Sequence, residues 1–563
     1  MRVSMLSFLP LFPLSIADYC PPTGPVLPPP SIPENFAQKE LNEVLEHFVK
    51  HSSDYGWNAT VNSFSVSATS REETFFSNHY TAPLKNDTGV DKVAGDTVYR
   101  IASGTKVFTV LAVLLEDRIN LEDPIGKYVK ELQGEEYGDV TVRLLTNQLA
   151  ALPREGYTWD KAVAADKLVP LGFPQLAPSD VPPCGTGVGD RICTREEFFK
   201  AMPGFTGQIA NTVAYSNVAY SILGYALEDV TGMKYAEVIK QKITEPLGLP
   251  DIAAKAPKTE RGILPINNGP WFELDLEYVT PTAGLYATPN HLDKFLRSIL
   301  NNTLLSNVKT NEWLKPAAFT SKLEESVGAP WEIFRPRGLT NPPRPIDHYT
   351  KSGDLPGFSS SYIVLVPEYN LGVTLLSAGP EASSIVAMLL DIFQGTLVPK
   401  LEKLAREQAQ EVYGGKYEAQ SKDTNSSASI ELVVDKGPGL KVKEWKNNDK
   451  DMLQSFYLTI LGGAKKGDEP LEADVRFYPL GVDDRWRVVF NEPEGKNEKR
   501  KGGKNRGGKK LLGAMREDAC LTWFRVDGTR YGKIPLDEVV FRVEDGAVKR
   551  VDAPGLRAEM DKM

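Results

Sequence analysis

The chain has 563 residues, enough for several domains, and about two-fifths of them are apolar, the share of an ordinary globular protein with a large core. A formal net charge of -9 argues against a nucleic-acid partner on electrostatic grounds. Apart from a short N-terminal stretch broken by Pro10 and Pro13, nothing reads as a membrane span.

In chain order, that stretch comes first. Arg2 followed by the apolar residues 3–16 and the small-x-small run Ser15-Ile16-Ala17 predicts a signal peptide over residues 1–17, cleaved before Asp18, and hence a secreted protein. A Pro-rich leader follows over 18–37. Residues 38–51 read as an amphipathic helix, with Leu41, Val44, Leu45 and Phe48 at helical spacing. Residues 61–68 and 73–80 read as a hairpin. Residues 97–102 form a short strand that runs straight into a helix from Ser103 to about Asp117. The middle of the chain, to about Asn302, mixes helices with long loops. Residues 359–366 and 371–377 read as antiparallel strands and 383–407 as a long helix. This order gives an α+β domain over 38–407: an antiparallel sheet packed by its terminal helices, with a helical subdomain. Past residue 411 the segments 430–434, 440–445, 474–478, 486–491 and 539–543 are short and strand-like. They suggest a small all-β domain over 411–563, for which a barrel is one form. Residues 496–510 inside it are a Lys/Arg/Gly run read as a solvated hairpin tip.

The four cysteines suit an oxidising compartment. Cys184 and Cys193 flank a Gly-rich loop and can pair locally. Of the three possible pairings, that one leaves Cys20 with Cys520. No Cys/His cluster suggests a metal, and no cofactor is implied. Sequons stand at Asn58, Asn86, Asn301 and Asn425.

Three short elements carry the chemistry. Ser103-Gly104-Thr105-Lys106 places a hydroxyl and an amine on one helix face. A serine is a weak nucleophile without a base in reach. Lysine serves as that base only when neutral, which needs a downward shift of about 3 units, roughly 4 kcal/mol, from burial and a neighbouring cation. Tyr215-Ser216-Asn217 adds a phenol for proton relay and an amide to hold a substrate carbonyl. Lys351-Ser352-Gly353, on an edge strand, offers a cation and a hydroxyl for a substrate carboxylate. Gly353 leaves room for substrate backbone. The backbone N–H groups of Ser103 and Asp354 make a candidate oxyanion hole.

In this order the three elements resemble the signatures of the serine β-lactamase and penicillin-binding-protein superfamily: Ser-x-x-Lys, Tyr-x-Asn and Lys-Thr-Gly. Val107 to Pro124, Pro246-Leu247-Gly248-Leu249 and the segment from Ala283 to Thr288 resemble further family segments. The Tyr-x-Asn form points to the class C β-lactamase, D-aminopeptidase and esterase branch. The Pro-rich leader with Cys20, Pro330-Trp331-Glu332 and the added β domain resemble secreted fungal β-lactamase-related proteins. The resemblance implies an acyl-enzyme on Ser103, with Lys106 and Tyr215 moving protons. Asn217, Lys351, Ser352, Gly353 and Asp354 would bind a small-molecule or short-peptide substrate. Two departures stand out. Ser352 replaces threonine, and Thr146-Asn147-Gln148 stands where many relatives have His-Thr-Ser-Gly. Asp354 adds a carboxylate expected to disfavour anionic substrates.

An acyltransferase or cyclase using the same acyl-enzyme is an alternative, as is a binding protein that keeps the fold without turnover. A Ser-His-Asp hydrolase finds no Gly-x-Ser-x-Gly elbow, and the histidines, among them His348 on a strand surface, have no nucleophile partner. Tyr286, Trp331 and Phe358 stand as aromatics for a bulky acyl group or as core.

Overall fold

The computed structural model describes residues 20–157, 160–185, 191–202, 204–266, 270–421, 426–461, 472–491, 520 and 522–563. The expected signal peptide over 1–17, the sequon at Asn425 and the basic run 496–510 lie outside the described residues. The chain divides into two compact units. One comprises Ile32–Pro336 and Ile346–Leu397; the other comprises residues 20–31, Arg337–Pro345 and Val398–Met563.

The first unit is built on an eight-stranded antiparallel sheet. Its strands are β1 (Ser63–Thr69), β2 (Thr74–Tyr80), β3 (Ala318–Phe319), β4 (Glu325–Val327), β5 (Glu332–Phe334), β6 (His348–Leu355), β7 (Ser359–Val366) and β8 (Leu371–Ala378), in the spatial order β2-β1-β8-β7-β6-β5-β4-β3. Helix α1 (Gln38–Lys50) buries Leu41, Leu45 and Phe48, and Phe48 meets Phe64 of β1 at 6.3 Å. The final helix, Ala382–Tyr413, covers the same sheet face through Phe393, 5.7 Å from Phe76 of β2. By length and composition it is apolar enough to cross a bilayer. Its apolarity has a local reason, because Ile385, Leu389 and Phe393 are buried, the last against Phe76 of β2.

The alternation of β1 explains why even its serines are buried. Phe64, Val66 and Ala68 face the terminal helices, whereas Ser67 on the opposite face donates to Asp293 at 2.7 Å. Asp293 belongs to helix Pro289–Leu300 and also accepts from Thr374 at 2.8 Å and Thr74 at 3.0 Å. A carboxylate buried there needs these donors.

The sequence reading is adjusted in several places. The expected strand over 97–102 shrinks to Tyr99–Arg100, paired with Tyr286–Ala287. A single 3-10 turn, Ala102–Gly104, then leads into helix α2 (Thr105–Leu114). His348 is no surface residue. It is fully buried, with Nδ1 on the carbonyl of Ile346 at 3.0 Å. Tyr286, Trp331 and Phe358 are at most 1% exposed. Trp331 packs on Trp313 at 5.2 Å, so these three belong to the core. The sequons differ in access: Asn58 and Asn301 are exposed and Asn86 is half-buried. The Asn301 amide donates to the carbonyl of Arg71 at 2.8 Å.

In the second unit eight strands close a barrel: β9 (Gly415–Ser421), β10 (Ser426–Val433), β11 (Leu440–Asn447), β12 (Asp474–Pro479), β13 (Arg485–Asn491), β14 (Glu538–Glu544), β15 (Ala547–Ala553) and β16 (Ala558–Lys562). They run β10-β9-β16-β15-β14-β13-β12-β11, and β11 returns to β10 with Ile430 opposite Trp445. Closure removes the free edges of a sheet. Tyr417, Leu432, Trp445, Val475, Phe477 and Val551 fill the interior. Both disulfides form, Cys184–Cys193 in the first unit and Cys20–Cys520 in the second.

Candidate active site

The site lies where the Ala102–Gly104 turn meets β6 and the loop before helix α3 (Asn217–Thr231). The turn is held from the sheet side: Ser359 and Ser361 of β7 donate to the carbonyls of Arg100 and Ile101, each at 2.7 Å. Ala102 has φ 47°, a left-handed conformation that costs a non-glycine residue about 1–2 kcal/mol and that sharply reverses the chain just before Ser103. Ser103 is thereby left half-buried above a helix whose next residues are fully buried.

Ser103 Oγ has two partners. Lys106 Nζ donates to it at 2.9 Å, one helical turn on, and Tyr215 Oη donates at 2.9 Å from the facing loop. Lys106 is wholly buried and donates also to Asn217 Oδ1 at 2.7 Å and to the carbonyl of Thr282 at 3.1 Å. Burial pulls its pKa down to about 8, with Lys351 adding to the fall and Tyr215 opposing it. For Tyr215, burial pushes the phenol up, but the charges of Lys106 and Lys351 outweigh it and bring the pKa down to about 8. The two ammonium groups lie 5.0 and 5.2 Å from the centre of the Tyr215 ring.

The loop that presents Tyr215 is fixed by Ser216. Its hydroxyl caps helix α3 by accepting the Ala219 N–H at 3.0 Å and donates to the carbonyl of Pro153 at 2.7 Å. Gln148, in the segment that departs from the family pattern, accepts the Ser216 N–H at 2.8 Å. The departure thus serves as a buttress for the tyrosine loop.

Asn217 was expected to hold a substrate carbonyl. Both ends of its amide are instead engaged inside the protein: Oδ1 on Lys106, and Nδ2 donating to Glu155 at 2.7 Å. Burial pushes the Glu155 carboxyl above its usual range, with Asn217, Arg154 and Lys106 opposing. Arg154 pairs with Glu155 at 3.1 Å and lies over the Tyr215 ring at 4.8 Å.

Lys351, Ser352 and Gly353 lie in β6 past the end of β5, whose last register pair is Glu332 with Thr350. The edge strand expected from the sequence is therefore an interior strand with a locally free edge. Lys351 is fully buried. Its Nζ donates to Glu332 Oε1 at 2.5 Å and to the carbonyl of Ser352 at 2.7 Å. Burial lowers its pKa, but Glu332 and Tyr215 outweigh that and raise it, so it stays an ammonium. Ser352 donates to Glu332 twice, from Oγ to Oε1 at 2.9 Å and from N to Oε2 at 2.9 Å. The donors expected to meet a substrate are thus taken by a side chain of this chain.

Gly353 has a different reason from the one the sequence suggested. A Cβ there would strike the carbonyl of Ile101 and lie 2.5 Å from Ser361 Oγ and 2.9 Å from the Gly104 nitrogen. The strand rests on the turn that carries Ser103, not on substrate. Asp354 is exposed, and its carboxylate accepts from the hydroxyls of Ser360, at 2.6 Å, and Ser383. Among the described residues no group of three or more His, Cys, Asp or Glu side chains is placed to hold a metal.

The sequence reading assigned no role to Glu332, Glu155, Arg154, Gln148 or Thr282. Glu332 stands 19 residues before Lys351, and only the strand register brings it there. Arg154 and Glu155 sit in an irregular stretch with no pattern to mark them.

A serine on a tight turn, a buried lysine and a tyrosine on a capped loop, set on an antiparallel sheet with terminal helices, define the candidate site. The sequence profile of the family described as Beta-lactamase matches residues 58–389, and that described as Beta-lactamase-like-like, C-terminal domain matches residues 405–563. The chain belongs to the β-lactamase-like hydrolase family and has its β-lactamase/transpeptidase-like fold, followed by a C-terminal β-barrel domain. It is similar to a "Beta-lactamase-like protein" of Arthroderma benhamiae, 30% identical, with 96% of this chain and 95% of the relative covered. It is also similar to "Probable hydrolase clz13" of Cochliobolus lunatus, 29% identical, covering 97% and 92%. Among solved structures, a β-lactamase/D-alanine carboxypeptidase from Yersinia pestis in complex with citrate aligns at 18% identity and TM-score 0.47, covering 64% of this chain and 99% of that one.

Proposed function

We propose that this chain is a secreted serine hydrolase that cleaves an ester or amide of a small molecule or short peptide through an acyl-enzyme on Ser103. The observation that supports this most is the convergence of two proton carriers, each with a pKa of about 8, on one hydroxyl at 2.9 Å. Lysine and tyrosine at their ordinary values would hold their protons too tightly to serve near neutral pH.

In this reading, Ser103 Oγ bonds to the acyl carbon while its proton passes to the Lys106–Tyr215 pair. The same pair delivers that proton to the leaving alcohol or amine as the acyl bond breaks. Water then attacks the ester, loses a proton to the pair, and Ser103 leaves with it. The backbone N–H groups of Ser103 and Asp354 hold the developing oxyanion. Lys351, kept charged, favours the phenolate of Tyr215. Asn217 positions Lys106, and Glu155 positions Asn217. Secretion is supported by the apolar N-terminal stretch and by two disulfides, which are consistent with an extracellular protein. The sequons at Asn58, Asn86, Asn301 and Asn425 are the candidate glycosylation sites in this reading.

The test is intact-protein mass spectrometry after exposure to activated esters and a chromogenic cephalosporin, on wild type and Ser103→Ala. The expected result is an adduct that maps to Ser103, is absent from the variant and decays in water. An adduct that decays only on addition of an alcohol or amine would replace hydrolysis with acyl transfer. No adduct and no turnover from folded protein would leave a binding role.

A further inference from the structure

Among the described residues, each cation beside Ser103 has a partner. Lys351 is buried behind Glu332, whose carboxylate takes the ammonium, the hydroxyl and the N–H of the Lys351–Ser352 pair with its two oxygens. The lysine side chain has no exposed surface, while that of Glu332 is 22% exposed, so the carboxylate forms the open side of the pair. Across the site, Arg154, its side chain 65% exposed, pairs with Glu155 through Nε at 3.1 Å, and Lys106 is wholly buried, with its amine donating to Ser103, Asn217 and the Thr282 carbonyl. Asp354 contributes a further negative charge on β6, tied to Ser360 and Ser383. Among the described residues around Ser103 each cation thus already has a partner, and the Lys351–Ser352 donors suited to a carboxylate already hold one.

We infer that Glu332 is a specificity-determining residue: its carboxylate occupies the place a substrate carboxylate would take on Lys351 and Ser352, restricting Ser103 to acyl groups that carry no anion beside the reacting carbonyl. The inference rests on the acyl-enzyme reading above. A neutral ester or lactone, or an acyl group bearing an amine, meets a satisfied or attractive surface. A carboxylate-bearing substrate meets Glu332 at close range, with the donors of Lys351 and Ser352 already taken, and like-charge juxtaposition is an effective means of rejecting a wrong partner.

The experiment compares two para-nitrophenyl esters of equal chain length, the butyrate and the hemisuccinate, which differ in a terminal carboxylate. Wild type should favour the butyrate in kcat/KM by about tenfold or more. Glu332→Gln frees the lysine charge and should narrow that ratio by about tenfold, chiefly by raising the rate on the hemisuccinate, whereas Glu332→Asp keeps the charge and the preference. The wild-type ratio is informative even if the Gln variant does not fold. A Ser103 adduct from both esters with no wild-type preference, or with a ratio unmoved in folded Glu332→Gln, overturns this inference alone. Absence of a Ser103 adduct from either ester in wild type overturns the acyl-enzyme reading and this inference with it.

Discussion

Replacing Tyr215 by Phe removes one oxygen from the centre of the site and separates the two proton carriers. Ser103 Oγ then keeps a single partner, Lys106 at 2.9 Å. In wild type both carriers titrate at about 8, so at pH 7 only about one-tenth of either is deprotonated. The rate on a neutral ester should therefore rise about tenfold per pH unit below that value and level off above it. Loss of the phenol should lower kcat by about 10²–10⁴-fold, the usual worth of a positioned acid–base group, or about 3–5 kcal/mol of barrier. KM should change little, because the hydroxyl faces Ser103. The pH profile gives the sharper readout. Tyr215 raises the pKa of Lys106, so without it the lysine titrates lower and the rising limb of the residual activity moves below 8. Stopped-flow burst amplitudes, with near-ultraviolet circular dichroism to confirm folding, separate acylation from decay. A variant within about threefold of wild type, or a limb that moves upward, would refute the shared-proton argument and leave Lys106 as sole base.

Two further outcomes follow from the same geometry. Gly353→Ala should cost about 1–3 kcal/mol in urea unfolding and slow Ser103 acylation together, because the added methyl meets backbone atoms of the nucleophile turn that have no room to give; full activity in this variant would show that β6 does not buttress the turn. Asp293 is fully buried, and burial pushes its carboxyl up to about 6 despite the hydroxyls of Ser67, Thr374 and Thr74. A carboxyl raised in the folded state stabilises most below its unfolded value, and that contribution is lost as pH rises towards 6, a loss of about 3 kcal/mol by pH 7. The unfolding free energy of Asp293→Asn relative to wild type should therefore improve by about 2 kcal/mol between pH 4 and 7, and a flat difference would count against a raised carboxyl there.

Local pattern carried much of this protein. The i to i+3 spacing of Ser103 and Lys106 put both on one helix face, and the structure brings them to 2.9 Å. Residues 359–366 and 371–377, with Glu368-Tyr369-Asn370 at their turn, marked the antiparallel pair on which the Ala102–Gly104 turn rests. The short strands after residue 411 marked an all-β unit. These features depend on the geometry of a single element or a tight hairpin, which neighbouring residues dictate.

What lay beyond the sequence was every choice made by register and packing between distant segments. Barrel closure through Ile430 and Trp445, and the approach of β6 to the turn that makes glycine obligatory at 353, belong to that class. So does the fate of Asn217, whose amide is used up between Lys106 and Glu155. His348 follows the same rule, since whether a strand residue is covered depends on what packs over the sheet. Glu332 is the most consequential case. A glutamate on a three-residue strand has no periodicity to set it apart, and only the pairing of that strand with β6 delivers its carboxylate to Lys351 and Ser352. Sequence thus determined which groups can react, while tertiary structure decided which of their charges and hydrogen bonds remain open to a substrate, because desolvation and pairing are properties of the assembled site.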